Sequence, residues 1–206
     1  MIYMKDYNYL TKLIQDVNLL RKQTKYYEID IAECNFSYMS TKKTSFMGYK
    51  QGYSDIFHRN QKGVKESDKL RSTTKNYLKF IRNKKGELLQ IESYVDGSID
   101  CIFQEHWIEN VRYLFPFSED GGFYPTYAYV AKFECNRVTE EYMVSGNQII
   151  YESYSYKSEE DIEYDYINYV PEGKFPILAE EKGVFHLNPL TYEEHYSDNW
   201  LNHFNK

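Results

Sequence analysis

Five histidines and a dense scatter of carboxylates are the residues of this 206-residue chain best equipped for chemistry. A catalytic base or metal centre needs several such groups held at defined spacing. His58, His106, His186, His195 and His203 fall in no H-E-x-x-H or H-x-E arrangement that would set two ligands on one face. His195 and His203 are eight residues apart, about two helical turns, so on a helix they share a face without sharing a metal. Paired acids recur at Glu140-Glu141, Glu159-Glu160-Asp161, Glu180-Glu181 and Glu193-Glu194. Neighbours on a strand point to opposite faces, so a hydrolytic carboxylate dyad would have to be assembled from separate segments by the fold. Charge runs of this kind ordinarily form a solvated acidic face. The glycines fall in turn contexts, outside the G-x-x-x-x-G-K and G-x-G-x-x-G phosphate loops. We therefore expect no catalytic residues, no cofactor and no metal; an enzyme with a dispersed His/carboxylate site stands as the second alternative.

The net charge of -6 hides a division along the chain. Residues 1–41 are balanced, Lys42–Lys85 carry thirteen basic and three acidic groups, and Gly86–Lys206 carry seven basic and twenty-three acidic ones. So acidic a majority repels nucleic acid and anionic membrane and steers basic proteins toward it. The first alternative is a nucleic-acid-associated protein working through residues 42–85, where Tyr49, Tyr53, Phe57 and Tyr77 offer rings for base stacking among the lysines. The remaining charge opposes that reading.

Cys34, Cys101 and Cys135 are odd in number, widely spaced and without a C-x-x-C, and read as reduced thiols in a strand-rich core. Met1-Ile2-Tyr3-Met4-Lys5-Asp6 lacks the basic and apolar regions of a secretory signal, so the cytoplasm is the expected compartment. That setting also disfavours a sugar-binding module, which would use exposed aromatics on a sheet.

Aromatics make up 18% of the chain and twenty-three residues are tyrosine, fourteen of them after Gly86. Rings fit a pleated, half-buried surface, which points to strand. Tyr7, Leu10, Leu13, Ile14, Val17 and Leu20 recur at helical steps and predict an amphipathic helix from Asp6 to Gln23. Tyr27, Ile29 and Ile31 alternate as a short strand would, and Lys42–Lys75 reads as irregular. After it come strands at Asn76–Arg82 and Glu87–Val95, an Asp96-Gly97 hairpin, then strands marked by Ile99, Cys101, Phe103 and Trp107, and by Val111, Tyr113, Phe115 and Phe117. Phe123, Tyr127, Tyr129 and Phe133 mark another, with Pro125 requiring an edge or bulge. Turns at Cys135-Asn136 and Ser145-Gly146-Asn147 bracket further strands up to Tyr156, and Ser158–Tyr169 is acidic with strand alternation in its second half. Such hairpins build a meander with one face on a core and the other in water. Thr191 and Glu194 have capping-box spacing, and Tyr192, Tyr196, Trp200 and Phe204 follow at four-residue steps, which predicts a terminal helix.

The expected architecture is α+β: one domain over 1–206, mainly an antiparallel β meander with an N-terminal and a C-terminal helix. Its parts are 1–41 (helix and first strand), 42–75 (basic irregular segment), 76–170 (meander) and 171–206 (loop and terminal helix). A small acidic protein of this make-up resembles the immunity proteins of bacterial polymorphic and contact-dependent toxin systems. The clearest local likeness is Asn83–Phe103, Asn-Lys-Lys-Gly-Glu-Leu-Leu-Gln-Ile-Glu-Ser-Tyr-Val-Asp-Gly-Ser-Ile-Asp-Cys-Ile-Phe, which is similar to the glycine-punctuated hairpins of repeat-type antitoxins. The resemblance implies a stoichiometric inhibitor that neutralises a toxin domain with a basic surface, its tyrosines anchoring beside its acids. The local candidate for that surface is Glu159, Glu160, Asp161, Glu163, Tyr164, Asp165, Tyr166 and Tyr169.

Overall fold

The computed structural model describes residues 7–41, 52–171 and 177–199. Within them the chain forms two α-helices and eleven strands, with antiparallel pairing throughout each of its two units. The chain divides into two compact units, one formed by Thr24–Thr126 and the other by the flanking residues 7–23 and 127–199.

The first unit is a meander of β1 (Asn35–Ser40), β2 (Tyr77–Arg82), β3 (Leu88–Val95), β4 (Ser98–Ile108) and β5 (Val111–Phe117), each paired with the next in sequence. Its turns follow local chemistry. Asn83 accepts the amides of Lys85 and Glu87 through its side chain, and Asp96 and Gly97 take the positive φ values of 50° and 87° that a tight two-residue hairpin needs. Pro125 lies in the bend after β5, outside any strand, and Phe123 is exposed and forms an isolated bridge to Phe117.

Two expectations fail in this unit. Tyr27–Ile31 is not a strand; it belongs to an extended strap, 24–30, that ends in a 3-10 turn at Ile31–Glu33 capped by Asp30. Residues 42–75 are not wholly irregular either, because Tyr53–Gln61 forms α2, while 42–51 lie outside the described residues.

The strap explains why the meander is not wet on one side. Gln104 is fully buried, accepts the Tyr27 amide at 3.0 Å and donates to the Tyr27 carbonyl at 2.5 Å, replacing a strand–strand pairing with a side chain. Tyr26 packs edge-on to Phe117 at 5.6 Å, and Tyr27 does the same to His106 at 5.6 Å. A positive φ of 78° at Gly121 brings its backbone against the Tyr26 ring, where a Cβ would stand 3.0 Å from Cδ1. Cys101, Phe103 and Leu114, on the opposite face, are buried as well.

The second unit sets α1 (Tyr7–Gln23) on β7 (Arg137–Ser145) and β8 (Gln148–Tyr156), with β6 (Ala128–Glu134) on one side and β9 (Asp161–Tyr169), β10 (Ile177–Leu187) and β11 (Leu190–Asn199) following on the other. The predicted stripe holds, since Leu10, Ile14 and Val17 are buried. Tyr9 donates to Glu140 at 2.7 Å, Tyr7 stacks on Tyr169 at 5.2 Å, and Asn18 donates to the Gly146 carbonyl.

Thr191–Asn199 is strand rather than helix; Trp200 and Phe204 lie outside the described residues. A four-residue step is common to both periods, because it returns to one face of a helix and also to one face of a strand. Pairing with β10 decides between them, and Leu187↔Leu190 and Phe185↔Tyr192 set a hairpin that no helix cap can compete with.

Candidate functional site

The acids concentrate where β9, β10 and β11 run side by side. Ser158 opens the β8–β9 turn by accepting the amides of Glu160 and Asp161 on its hydroxyl, and the Glu160 carbonyl accepts the Leu187 amide at 2.9 Å. That ties the turn to the end of β10 and leaves Glu159 and Glu160 exposed.

Asp161 and His186 are direct register partners, and the carboxylate meets Nδ1 at 2.7 Å. Nε2 of the same ring lies 3.7 Å from Glu193 on β11, whose carboxylate also stands 3.4 Å from Nε2 of His195. One imidazole therefore bridges three strands. Its pKa is raised, chiefly by the hydrogen bond to Asp161, with further contributions from the Asp161 and Glu193 charges. Carboxylates at both nitrogens favour the protonated ring, which then acts as a cross-brace between the strands. His106 is the opposite case: half-buried beneath Tyr27, its pKa is lowered by desolvation.

The rest of β9 separates by face. Glu163 is exposed and 3.1 Å from Lys157, and Asp165 lies 3.8 Å from Lys182. Tyr164 is 3% exposed and packs against Phe185 and Tyr192, and Tyr169 is 6% exposed beneath Tyr7. Of the eight residues singled out in sequence, Glu159, Glu160 and Glu163 are exposed and Asp161 and Asp165 are partly so, whereas alternation turns Tyr164 with Ile162 onto a buried face, Tyr169 is buried on the other face beneath Tyr7, and Tyr166 is half-buried. The additional members, His186, Glu193 and His195, come from β10 and β11. Reading Thr191 onward as helix placed Glu193 and His195 away from His186; strand pairing alone brings them together.

A second constellation is buried. Glu141 and Glu152 face each other directly across β7 and β8 at 2% and 3% exposure. The Tyr154 hydroxyl donates to Glu152 at 2.6 Å, and burial together with the two carboxylates pushes its pKa well above the ordinary value. Glu140 and Glu141 thus part company as strand neighbours must: one meets Tyr9 under α1, the other goes to the interior, against the expectation of a solvated face. Tyr–carboxylate pairing recurs at Tyr94–Glu92, Tyr124–Asp100 and Tyr192–Glu181. Part of the tyrosine excess therefore serves to satisfy acids within the fold.

No family model matches the chain, and no curated protein or solved structure matches it.

Among the described residues no group of three His, Cys, Asp or Glu side chains is placed to hold a metal ion, and no helix is long and apolar enough to cross a membrane. All three cysteines are free, but only Cys101 is core; Cys135 is exposed at a turn and Cys34 is half-exposed. The basic segment is partly neutralised within its own unit: Arg59 pairs with Asp55, Lys79 with Glu92, Arg82 with Glu66 and Lys84 with Glu33. Tyr77 stacks on Tyr94 at 4.4 Å and meets Tyr38 edge-on at 6.1 Å, so one face of its ring is already taken within the fold.

Proposed function

We propose that this chain is a stoichiometric inhibitory binding protein, of the immunity or antitoxin kind, that neutralises a toxin domain bearing a basic surface. The observation that carries the reading is the concentration of acid on β9–β11. Between Lys157 and Asn199 the sequence holds eleven acidic and three basic residues, and Glu159, Glu160, Glu163, Glu193 and Glu194 are exposed. Such a surface accelerates encounter with a basic protein and can stand in for the phosphate backbone in a nuclease cleft. Nucleic acid is the weaker partner, because several cations of 42–85 are engaged by Asp55, Glu66, Glu92 and Glu33.

The test is coexpression with the toxic C-terminal domain of a large secreted protein encoded beside this chain's gene. The inhibitor rescues growth and co-purifies with the domain in a complex that weakens as salt rises. Undiminished toxicity in the presence of soluble chain rejects the reading.

A further inference from the structure

β11 is covered less than any other described strand. Every residue from Glu193 to Ser197 is exposed, a run that occurs in no other described strand, and it includes the large ring of Tyr196 at 45% exposure. One edge of β11 pairs with β10; no described strand pairs with the other. The contrast is β1, whose outer edge is occupied by its own chain: Tyr38 and Ser67 exchange both backbone hydrogen bonds, at 2.8 and 2.9 Å, and Glu66 is held there by Arg82.

Ordering a strand costs about 1–2 kcal/mol per residue in backbone entropy, which burial on at least one face usually offsets. Glu193–Ser197 has its ladder to β10, but each of its residues stays exposed. An added strand on the open edge would supply a second ladder and cover Tyr196.

The charges say what kind of strand fits. Glu193 and Glu194 are adjacent and point to opposite faces, so the edge carries a carboxylate on each side. Lys182 faces Tyr196 while Gly183 faces Glu194, which makes His195 the extra residue of a bulge, but Leu190–Glu194 pairs without interruption. The acids oppose a second copy paired about a two-fold axis here, which would bring Glu193 and Glu194 against themselves. The same acids suit a strand bearing lysine or arginine.

We propose that the outer edge of β11 receives an extended, Lys/Arg-bearing segment of the protein partner as an added β-strand. This rests on the inhibitory reading above and specifies where and how that partner docks.

The experiment uses the full chain and a short peptide of alternating lysine and valine, with an alternating glutamate–valine peptide as the contrast, read by amide hydrogen exchange. The expected result is slowed exchange at alternate amides of Leu190–Glu194 with the lysine peptide only. In Glu193→Lys/Glu194→Lys the preference passes to the glutamate peptide. Glu194→Lys alone, which leaves Glu193 and its histidines in place, loses most of the lysine-peptide effect without a change in melting temperature. Equal protection by both peptides, protection confined to other strands, or a β11-paired dimer of the chain alone overturns the proposal. In the coexpression assay, full rescue by a folded Glu193→Lys/Glu194→Lys overturns edge docking and leaves the inhibitor reading standing, whereas failure of the unaltered chain to rescue overturns the inhibitor reading itself.

Discussion

The ring of Tyr192 lies across Gly183 of the neighbouring strand, and its hydroxyl donates to Glu181 at 2.6 Å. The glycine is what admits the ring: a Cβ at position 183 would stand 2.5 Å from both Cε2 and Oη of Tyr192 and would press on the Glu193 carbonyl. The ring then closes a cluster with Phe185 at 4.7 Å and Tyr164 at 5.9 Å. An aromatic laid diagonally over a strand glycine restores the cover that the missing side chain leaves out.

Gly183→Ala is expected to destabilise the chain by about 1–3 kcal/mol, the usual cost of overpacking, because the obstacle includes backbone. Tyr192→Phe keeps the ring and should lose only about 1 kcal/mol. Chemical denaturation of both variants checks the order; an alanine variant as stable as the parent would show that the ring does not sit on this glycine.

Tyr154→Phe is expected to cost about 1–3 kcal/mol, since it removes the hydroxyl that donates at 2.6 Å to the Glu152 carboxylate, itself 3% exposed. A double-mutant cycle with Glu152→Gln reads the pair directly. A coupling energy near zero would place the Glu152 charge elsewhere.

Gln104→Leu should release the strap. The leucine fills similar space but strands the Tyr27 amide and carbonyl, which bond to the Gln104 side chain, and also removes the link from Gln104 to Gln90 at 3.1 Å. Two backbone groups left without partners put the cost at about 1–3 kcal/mol or more. Amide exchange at Tyr27 is the specific readout, accelerated in the variant while β4 amides such as Phe103 stay protected.

His186 makes the β9–β10–β11 brace depend on pH. Its pKa in the folded chain is raised, by Asp161 first and Glu193 after it, above the value in the unfolded chain. The stabilisation is therefore complete below the ordinary histidine pKa near 6.5 and is lost as pH rises through the higher folded value. The melting temperature of the parent should fall relative to that of His186→Gln over that window. A proton NMR titration placing His186 at or below the ordinary value would reject the brace.

Several elements were legible locally. The stripe from Tyr7 to Leu20 could only be one face of a helix, and the Asp96-Gly97, Cys135-Asn136 and Ser145-Gly146-Asn147 dipeptides and tripeptide carry the backbone freedom that tight hairpins require, so β3, β4 and β6–β8 followed. Antiparallel pairing between neighbours then needs no long-range information. The exposure of Glu159, Glu160 and Glu163 was equally readable from charge and a turn.

What tertiary structure decided are the features with two acceptable local answers. Tyr192 and Tyr196 satisfy both a helical and a strand period, and the ladder with β10 chose the strand. Tyr164 and Tyr169 stand among carboxylates in sequence, yet the two-residue repeat of β9 turns Tyr164 onto Phe185, and packing under α1 buries Tyr169 beside Tyr7. Glu141 and Glu152 look like solvated acids until pairing sets them face to face inside. Composition determined that this would be an aromatic, acidic, strand-built protein. Which rings and acids meet each other, and which stay exposed on β11, depended on strand register, a property of pairs of segments that no single segment encodes.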